Sequence, residues 1–191
     1  MMPLARRKVL SLLGTGLSVP LASRAQGVPT MPRIAHLSGS GESASRSFVD
    51  AFREGMRELG LLEGKNYVLR QRYSEGKVER LAALAQELIA QKPDVLLTST
   101  TPAGLAAKAA TRSLPIVAVL IADPVGVRLV QSLARPGGNI TGITNIVAEL
   151  TGKRLELLKE MIPAAKRIAV LVNLESQNAS LQLRIAEAVI R

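Results

Sequence analysis

The stretch that decides the fold runs from Asp94 to Ala110 and reads DVLLTSTTPAGLAAKAA. A short apolar run, Val95 to Leu97, leads into four consecutive hydroxyl residues, Thr98 to Thr101. Pro102 then opens an alanine-rich segment. Proline is favoured in the first turn of a helix, and a threonine directly before it is a good cap. The pattern predicts a buried strand that feeds the amino terminus of a helix, with Thr101 as the cap.

Such a junction offers a binding site for a small anion. The free backbone N–H groups of the first helical turn and the positive end of the helix dipole favour a carboxylate. No residue of the stretch pairs a nucleophile with a base. The junction therefore indicates a binding site and not a reaction centre. For the protein as a whole, we expect neither enzymatic activity nor a cofactor.

Outward from this stretch, predicted strands and helices alternate regularly. The continuous apolar run from Ile116 to Ile121 is typical of a strand buried on both faces, whereas the partial alternation in Tyr67 to Tyr73 favours a sheet edge. Regular alternation predicts an α/β fold with a doubly wound parallel sheet and right-handed crossovers. The remaining predicted strands are Arg33 to Leu37, Asp94 to Thr98 and Asn139 to Ile143. The predicted helices are Ser43 to Leu59, Val78 to Gln91, the alanine-rich helix that begins at Pro102, and a short helix from Pro124 to Leu133.

The last quarter of the chain starts the pattern again. A helix is predicted for Glu149 to Ile162, a buried strand for Arg167 to Val172 and a helix for Ser176 to Arg191. One strand and two helices cover too little surface to support a parallel sheet. We therefore predict a first α/β ligand-binding lobe over residues 26–145 and an incomplete second lobe over residues 146–191.

Residues 1–25 have the pattern of an export signal peptide. Arg6, Arg7 and Lys8 form a charged front, Val9 to Ala22 is mostly apolar, and small residues surround the expected cleavage site at Ala25. The pattern predicts export to the periplasm, and the arginine pair leaves both the general secretory and the twin-arginine route open.

Composition excludes several classes of function. Four of the 25 basic residues and none of the 15 acidic ones lie in residues 1–25, which leaves 21 against 15, a net charge of +6, for the rest. These charges are scattered and not interleaved with aromatic residues, so no nucleic-acid partner is expected. The sequence has no cysteine, which excludes disulfides, thiolate metal sites and a lipid anchor on a cysteine. The one histidine, His36, is expected to pack inside a strand.

A sheet ordered 2-1-3-4-5 binds ligands beyond the carboxyl ends of its strands, near the switch point between strands one and three. A ligand carboxylate is expected on the backbone from Thr101 to Ala103 and an ammonium group near Asp123. Tyr73, at the end of strand two, is expected to pack. The predicted ligand-binding residues are Ser38, Ser40, Thr100, Thr101, Ala103, Asp123 and Asn145.

Two of these positions have a plainer interpretation. The hydroxyl residues up to Thr101 could serve only as a helix cap, and Asp123 before Pro124 could serve only to close a turn. A third alternative concerns Gly39 to Ala44, which follows a strand and opens a helix as a dinucleotide-binding loop does. The next strand, however, carries Arg70 and Arg72 where such enzymes need an acidic residue.

Several motifs, in order along almost the whole chain, resemble one family, the substrate-binding proteins of ABC transporters. The resemblance implies a type I periplasmic binding fold related to receptors for aromatic or branched amino acids. It further implies a small-molecule ligand, amino acid or carboxylate, held between two lobes, and permease subunits in the inner membrane as partners. The motifs are Phe52 to Gly60, Glu63 to Asn66, Arg72 to Gly76, Thr101 to Ala103, Asp123-Pro124, Arg135 to Gly142 and Lys153 to Leu158.

The chain departs from the family pattern in length. Family members usually continue for well over a hundred residues and complete the second lobe. The alternative interpretation is therefore that the chain is a nonfunctional truncated gene product of the same family.

Overall fold

The computed structural model describes residues 31–145, 150–172 and 179–190. The predicted signal peptide and residues 146–149 lie outside this range. The described part contains a sheet of five parallel strands in the order β2-β1-β3-β4-β5. The strands are β1 (Arg33–Ser38), β2 (Val68–Tyr73), β3 (Val95–Ser99), β4 (Ile116–Ala122) and β5 (Ile140–Asn145).

Helices connect the strands as a doubly wound α/β sheet requires. They are α1 (Glu42–Glu58), α2 (Leu81–Ala90), α3 (Thr101–Ala110), α4 (Leu150–Met161) and α5 (Ala179–Ile190), with a short 3-10 helix at Val78–Arg80. Helices α2 and α3 pack on each other, as do α4 and α5. The predicted fold class and strand order are confirmed.

The core has two parts because α1 and the α2–α3 pair cover opposite faces of the sheet. Leu37, Leu88 and Leu96 belong to the larger cluster, which includes residues of α2 and α3. Val49 and Leu69 belong to the smaller cluster, which lies between α1 and β2. The expected difference between strands is confirmed: β4 is largely buried, whereas β2 has a single buried residue.

Two predicted elements did not form as expected. The segment after Pro124 is a series of turns, without the predicted helix to Leu133. Asp123 and Arg128 have φ angles of 44° and 56°, in the left-handed region, which interrupts a helical path. The segment from Arg167 to Val172 is not a strand, because among the described residues it pairs with no other strand.

The start of α3 also differs from the prediction by one residue. Thr100, not Thr101, occupies the cap position, and its side chain makes no capping hydrogen bond. Thr101 is the first helical residue, and its Oγ1 accepts a hydrogen bond from the N–H of Ala122 at 3.4 Å. The hydroxyl of Thr101 therefore links α3 to the end of β4.

Candidate ligand-binding rim

The five parallel strands end along one edge of the sheet, which we call the rim. Strand β1 pairs with β2 on one side and with β3 on the other, and the register places Ser38 beside Tyr73 and beside Ser99. Ala122 is aligned with Asn145 at the other side. The structure therefore brings the predicted site residues to one edge, each at the end of a strand or in the loop or helix that follows.

Burial divides the predicted residues into two groups. Ser38, Thr101 and Ala103 are buried, and Ala103 has no exposed surface at all. They can support the rim but do not present their surface to a ligand. Ser40, Thr100 and Asn145 are half-buried and Asp123 is exposed, so these four are accessible.

The loop between β1 and α1 lies directly against the start of α3. Thr100 has a φ angle of 87°, which is rare for a β-branched residue. A Cβ built on Gly39 would lie only 2.3 Å from the Thr100 Oγ1, so this approach requires glycine. The Thr100 Oγ1 is buried and has no hydrogen-bond partner among the described residues. Such an orphan hydroxyl marks the rim as a candidate binding point.

Hydrogen bonds to α1 and to the segment after β2 hold the loop from Ser38 to Gly41 in place. The Ser38 Oγ lies 2.9 Å from the Ser45 Oγ and accepts a hydrogen bond from the N–H of Ser40. The Ser74 Oγ donates to the Gly39 carbonyl oxygen at 2.9 Å. The half-buried Ser40 is thus presented on a rigid turn.

A polar layer beneath the rim includes the single histidine. His36 is fully buried, and its Nε2 lies 2.9 Å from the Ser99 Oγ. Burial lowers the pKa of His36 from 6.5 to about 4, so the ring is neutral at physiological pH. Tyr73 meets His36 edge to face, with ring centroids 6.0 Å apart, and its Oη accepts a hydrogen bond from Gln71. Both rings pack, as the sequence predicts.

The two remaining predicted residues lie at the other half of the rim. The Asp123 Oδ1 accepts a hydrogen bond from the N–H of Gly126 at 2.8 Å and closes the turn after β4. Asp123 therefore has the turn-closing role that was its plainer interpretation, while its carboxylate stays exposed. Asn145 ends β5 beside Ala122.

Glu75 is a rim residue that the sequence reasoning missed. Its Oε1 accepts a hydrogen bond from the N–H of Glu42 at 3.2 Å, at the first residue of α1. A Cβ on Gly41 would lie 2.4 Å from the Glu75 Oε2. The carboxylate thus occupies the helix end that would hold a dinucleotide phosphate, which disfavours the dinucleotide alternative. The sequence signal that could have placed Glu75 at the rim is the turn-forming Ser74-Glu75-Gly76, which directly follows β2.

The described residues contain neither a metal-ligating cluster nor a membrane-spanning helix. Residues 31–145, 150–172 and 179–190 contain no group of three or more metal-ligating side chains. Within the same ranges, every helix is too short or too polar to cross a bilayer.

Comparison with known proteins identifies the family. The family model described as ABC transporter substrate binding protein matches residues 35–191. The chain belongs to the ABC transporter substrate-binding protein family. The resemblance noted in its sequence motifs is thereby confirmed.

The relatives of this chain include proteins with stated ligands. A tyrosine-binding protein of Clostridioides difficile (strain R20291) is 30% identical over 142 residues, which cover 74% of this chain and 39% of the relative. A solved Streptococcus pneumoniae domain in complex with L-Trp is 26% identical, with a TM-score of 0.74, over 84% of this chain and 54% of its own.

A third relative has a solved structure whose description states no ligand. A conserved domain protein of Vibrio cholerae O1 biovar El Tor strain N16961 is 28% identical, with a TM-score of 0.77, over 84% of this chain and 53% of its own. The chain thus spans about half the length of these solved relatives and 39% of the curated one.

Proposed function

We propose that this chain is the periplasmic solute-binding component of an ABC importer and that it binds an amino acid at the rim. Its family consists of substrate-binding proteins, which capture solutes and do not transform them. The export pattern of residues 1–25 supports a periplasmic location. We further propose that it has no enzymatic activity and works with permease subunits of the inner membrane.

The observation that carries this proposal is the contact between Gly39 and Thr100. This contact lies between strands β1 and β3, at the switch point of the sheet, where α/β proteins of this topology bind ligands. The amino end of α3 supplies a positive dipole there. The orphan Thr100 hydroxyl is buried against Gly39, and a rotation of its side chain toward the rim would give it a ligand carboxylate beside Ser40 as an acceptor.

The other end of an amino acid needs a negative partner. Asp123 has an exposed carboxylate on the same rim and suits an ammonium group. In this arrangement Ser40, Thr100, Asp123 and Asn145 contact the ligand. The buried Ser38, Thr101 and Ala103 hold the rim in shape.

An aromatic amino acid is the first ligand to test, because one relative is named for tyrosine and another is solved with L-Trp. Both are longer than this chain, which covers 39% of the first and 54% of the second. Two-lobed proteins of this kind trap a solute by hinge closure, and the closed form is the one that a permease would recognise.

Calorimetric titration of the 191-residue chain with L-tyrosine tests the proposal. Tyramine lacks the carboxylate and 3-(4-hydroxyphenyl)propionate lacks the ammonium group, so both should bind more weakly. Ser40→Ala should weaken L-tyrosine binding, whereas Ser113→Ala, at an exposed position on the opposite edge, should not. Equal affinity for tyramine and L-tyrosine would contradict the carboxylate site.

A further inference from the structure

A second candidate site lies at the opposite edge of the sheet, where the strands begin. Two adjoining hollows of about 390 and 540 Å³ share Lys108, Gly138 and Asn139. Arg128 lines the first hollow and Arg112 lines the second. We call this surface the basic cleft and define it by these five residues.

Local hydrogen bonds shape the basic cleft. The Asn139 side chain donates to the carbonyl oxygen of Leu114 at 2.7 Å and so ties the loop before β5 to the segment after α3. The Lys108 ammonium donates to the carbonyl oxygen of Arg128. That bond fixes the end of α3 to the turns after β4, and both residues line the first hollow. The three cations are therefore gathered on one continuous surface.

The charges of the basic cleft are not neutralised nearby. Asp123 is the single acidic residue between positions 95 and 148, and it lies at the rim, on the other edge of the sheet. The Asp94 carboxylate is at the same edge as the cleft, but it accepts a hydrogen bond from the N–H of Arg33. Among the described residues, Lys108, Arg112 and Arg128 form no ion pair with a carboxylate.

We propose that the basic cleft binds an acidic segment of another protein. Three unpaired cations around open hollows are complementary to an extended chain that carries several carboxylates. The charges line recesses, which an extended chain can enter and a flat lipid surface cannot. Because the attraction is between charges at an exposed surface, it should weaken as salt is added.

Fluorescence anisotropy with a labelled oligoglutamate peptide tests this proposal on the full chain. Changing Lys108, Arg112 and Arg128 together to Gln should weaken peptide binding about tenfold, because the three charges that attract the carboxylates are removed. The matched control changes Arg46, Lys77 and Arg80 to Gln. These three are also exposed and unpaired among the described residues, so net charge falls equally.

The proposal predicts that the control variant keeps nearly full affinity and that added salt abolishes the difference between the two variants. Circular dichroism verifies that both variants are folded. An equal loss in both variants would show attraction by net charge alone and overturn the proposal. Binding to vesicles containing phosphatidylglycerol, without binding to the peptide, would overturn it in favour of a lipid surface.

Discussion

The side chain of Thr100 lies directly against Gly39, so close that a Cβ on Gly39 would fall 2.3 Å from the Thr100 Oγ1. This contact joins the loop after β1 to the start of α3, two elements 61 residues apart. It exists because position 39 has no side chain and because Thr100 adopts a positive φ of 87°. Two predictions depend on it.

The first prediction concerns Gly39→Ala. The added methyl group must displace Thr100 or the loop, and we expect the free energy of unfolding to fall by about 1–3 kcal/mol, as in other overpacked sites. Gly55→Ala is the matched control. No atom lies within 4 Å of the Cβ position of Gly55, in the interior of α1, so that change should stabilise the protein by about 0.5–1 kcal/mol. Urea denaturation measures both, and a Gly39→Ala variant as stable as the wild type would contradict the contact.

The second prediction concerns Thr100→Gly. Glycine adopts the observed φ without strain, and backbone strain of this kind costs about 1–3 kcal/mol. Relief of that strain is partly offset by the flexibility of glycine in the unfolded chain, so we expect a net stabilisation of about 1 kcal/mol. The same change removes the hydroxyl and should weaken L-tyrosine binding. Thr100→Ser should restore binding, and a failure to restore it would remove that hydroxyl from the proposed site.

The strand order and the rim were predictable from the sequence, because continuous apolar runs such as Ile116 to Ile121 and strand–helix alternation leave few parallel topologies. The path after Pro124 was not, because a positive φ at Asp123 leaves no mark in the hydrophobic pattern. The apolar run ending at Val172 resembled a strand, but a strand needs a partner for its backbone hydrogen bonds. The bond from Glu42 to Glu75 joins residues 33 positions apart, beyond the reach of a local pattern.

The third prediction concerns the pH dependence of stability. Burial lowers the pKa of His36 from 6.5 to about 4, so the unfolded chain takes up a proton that the folded chain excludes. The free energy of unfolding should therefore fall as the pH decreases from about 6.5 to about 4, by about 3 kcal/mol from this group, and level off below.

His36→Gln tests this assignment because glutamine retains a polar group near the Ser99 Oγ but does not titrate. Urea denaturation of both proteins at neutral pH and at about pH 4 isolates the histidine contribution, since their acidic groups are the same. The variant should lose less stability than the wild type on acidification. An equal loss of unfolding free energy in both proteins on acidification would show that His36 does not account for the pH dependence.

The fourth prediction concerns the exposed apolar segment after α4. Leu171 is fully exposed and Val170 is 41% exposed, in a segment that the sequence predicted to form a buried strand. Exposed apolar surface of this kind favours self-association. Sedimentation of the 191-residue chain should therefore show oligomers, and Leu171→Lys should weaken association about tenfold.

The matched control for this segment is Leu59→Lys. Leu59 is also highly exposed, at 76%, but it lies at the end of α1, away from the apolar segment. Association unchanged by Leu171→Lys, or reduced equally by both substitutions, would show that the segment is not the contact surface.

The hydrogen bond between Glu42 and Glu75 has a consequence for the kind of solute that the rim could select. The protein's own carboxylate already satisfies the amino end of α1, whereas the amino end of α3 receives no side-chain cap from Thr100. At the proposed site, we therefore expect this glutamate to favour ligands with one acidic group. Its replacement would open two neighbouring anion-binding positions, an arrangement suited to dicarboxylates, and would provide a short evolutionary route from one nutrient class to another.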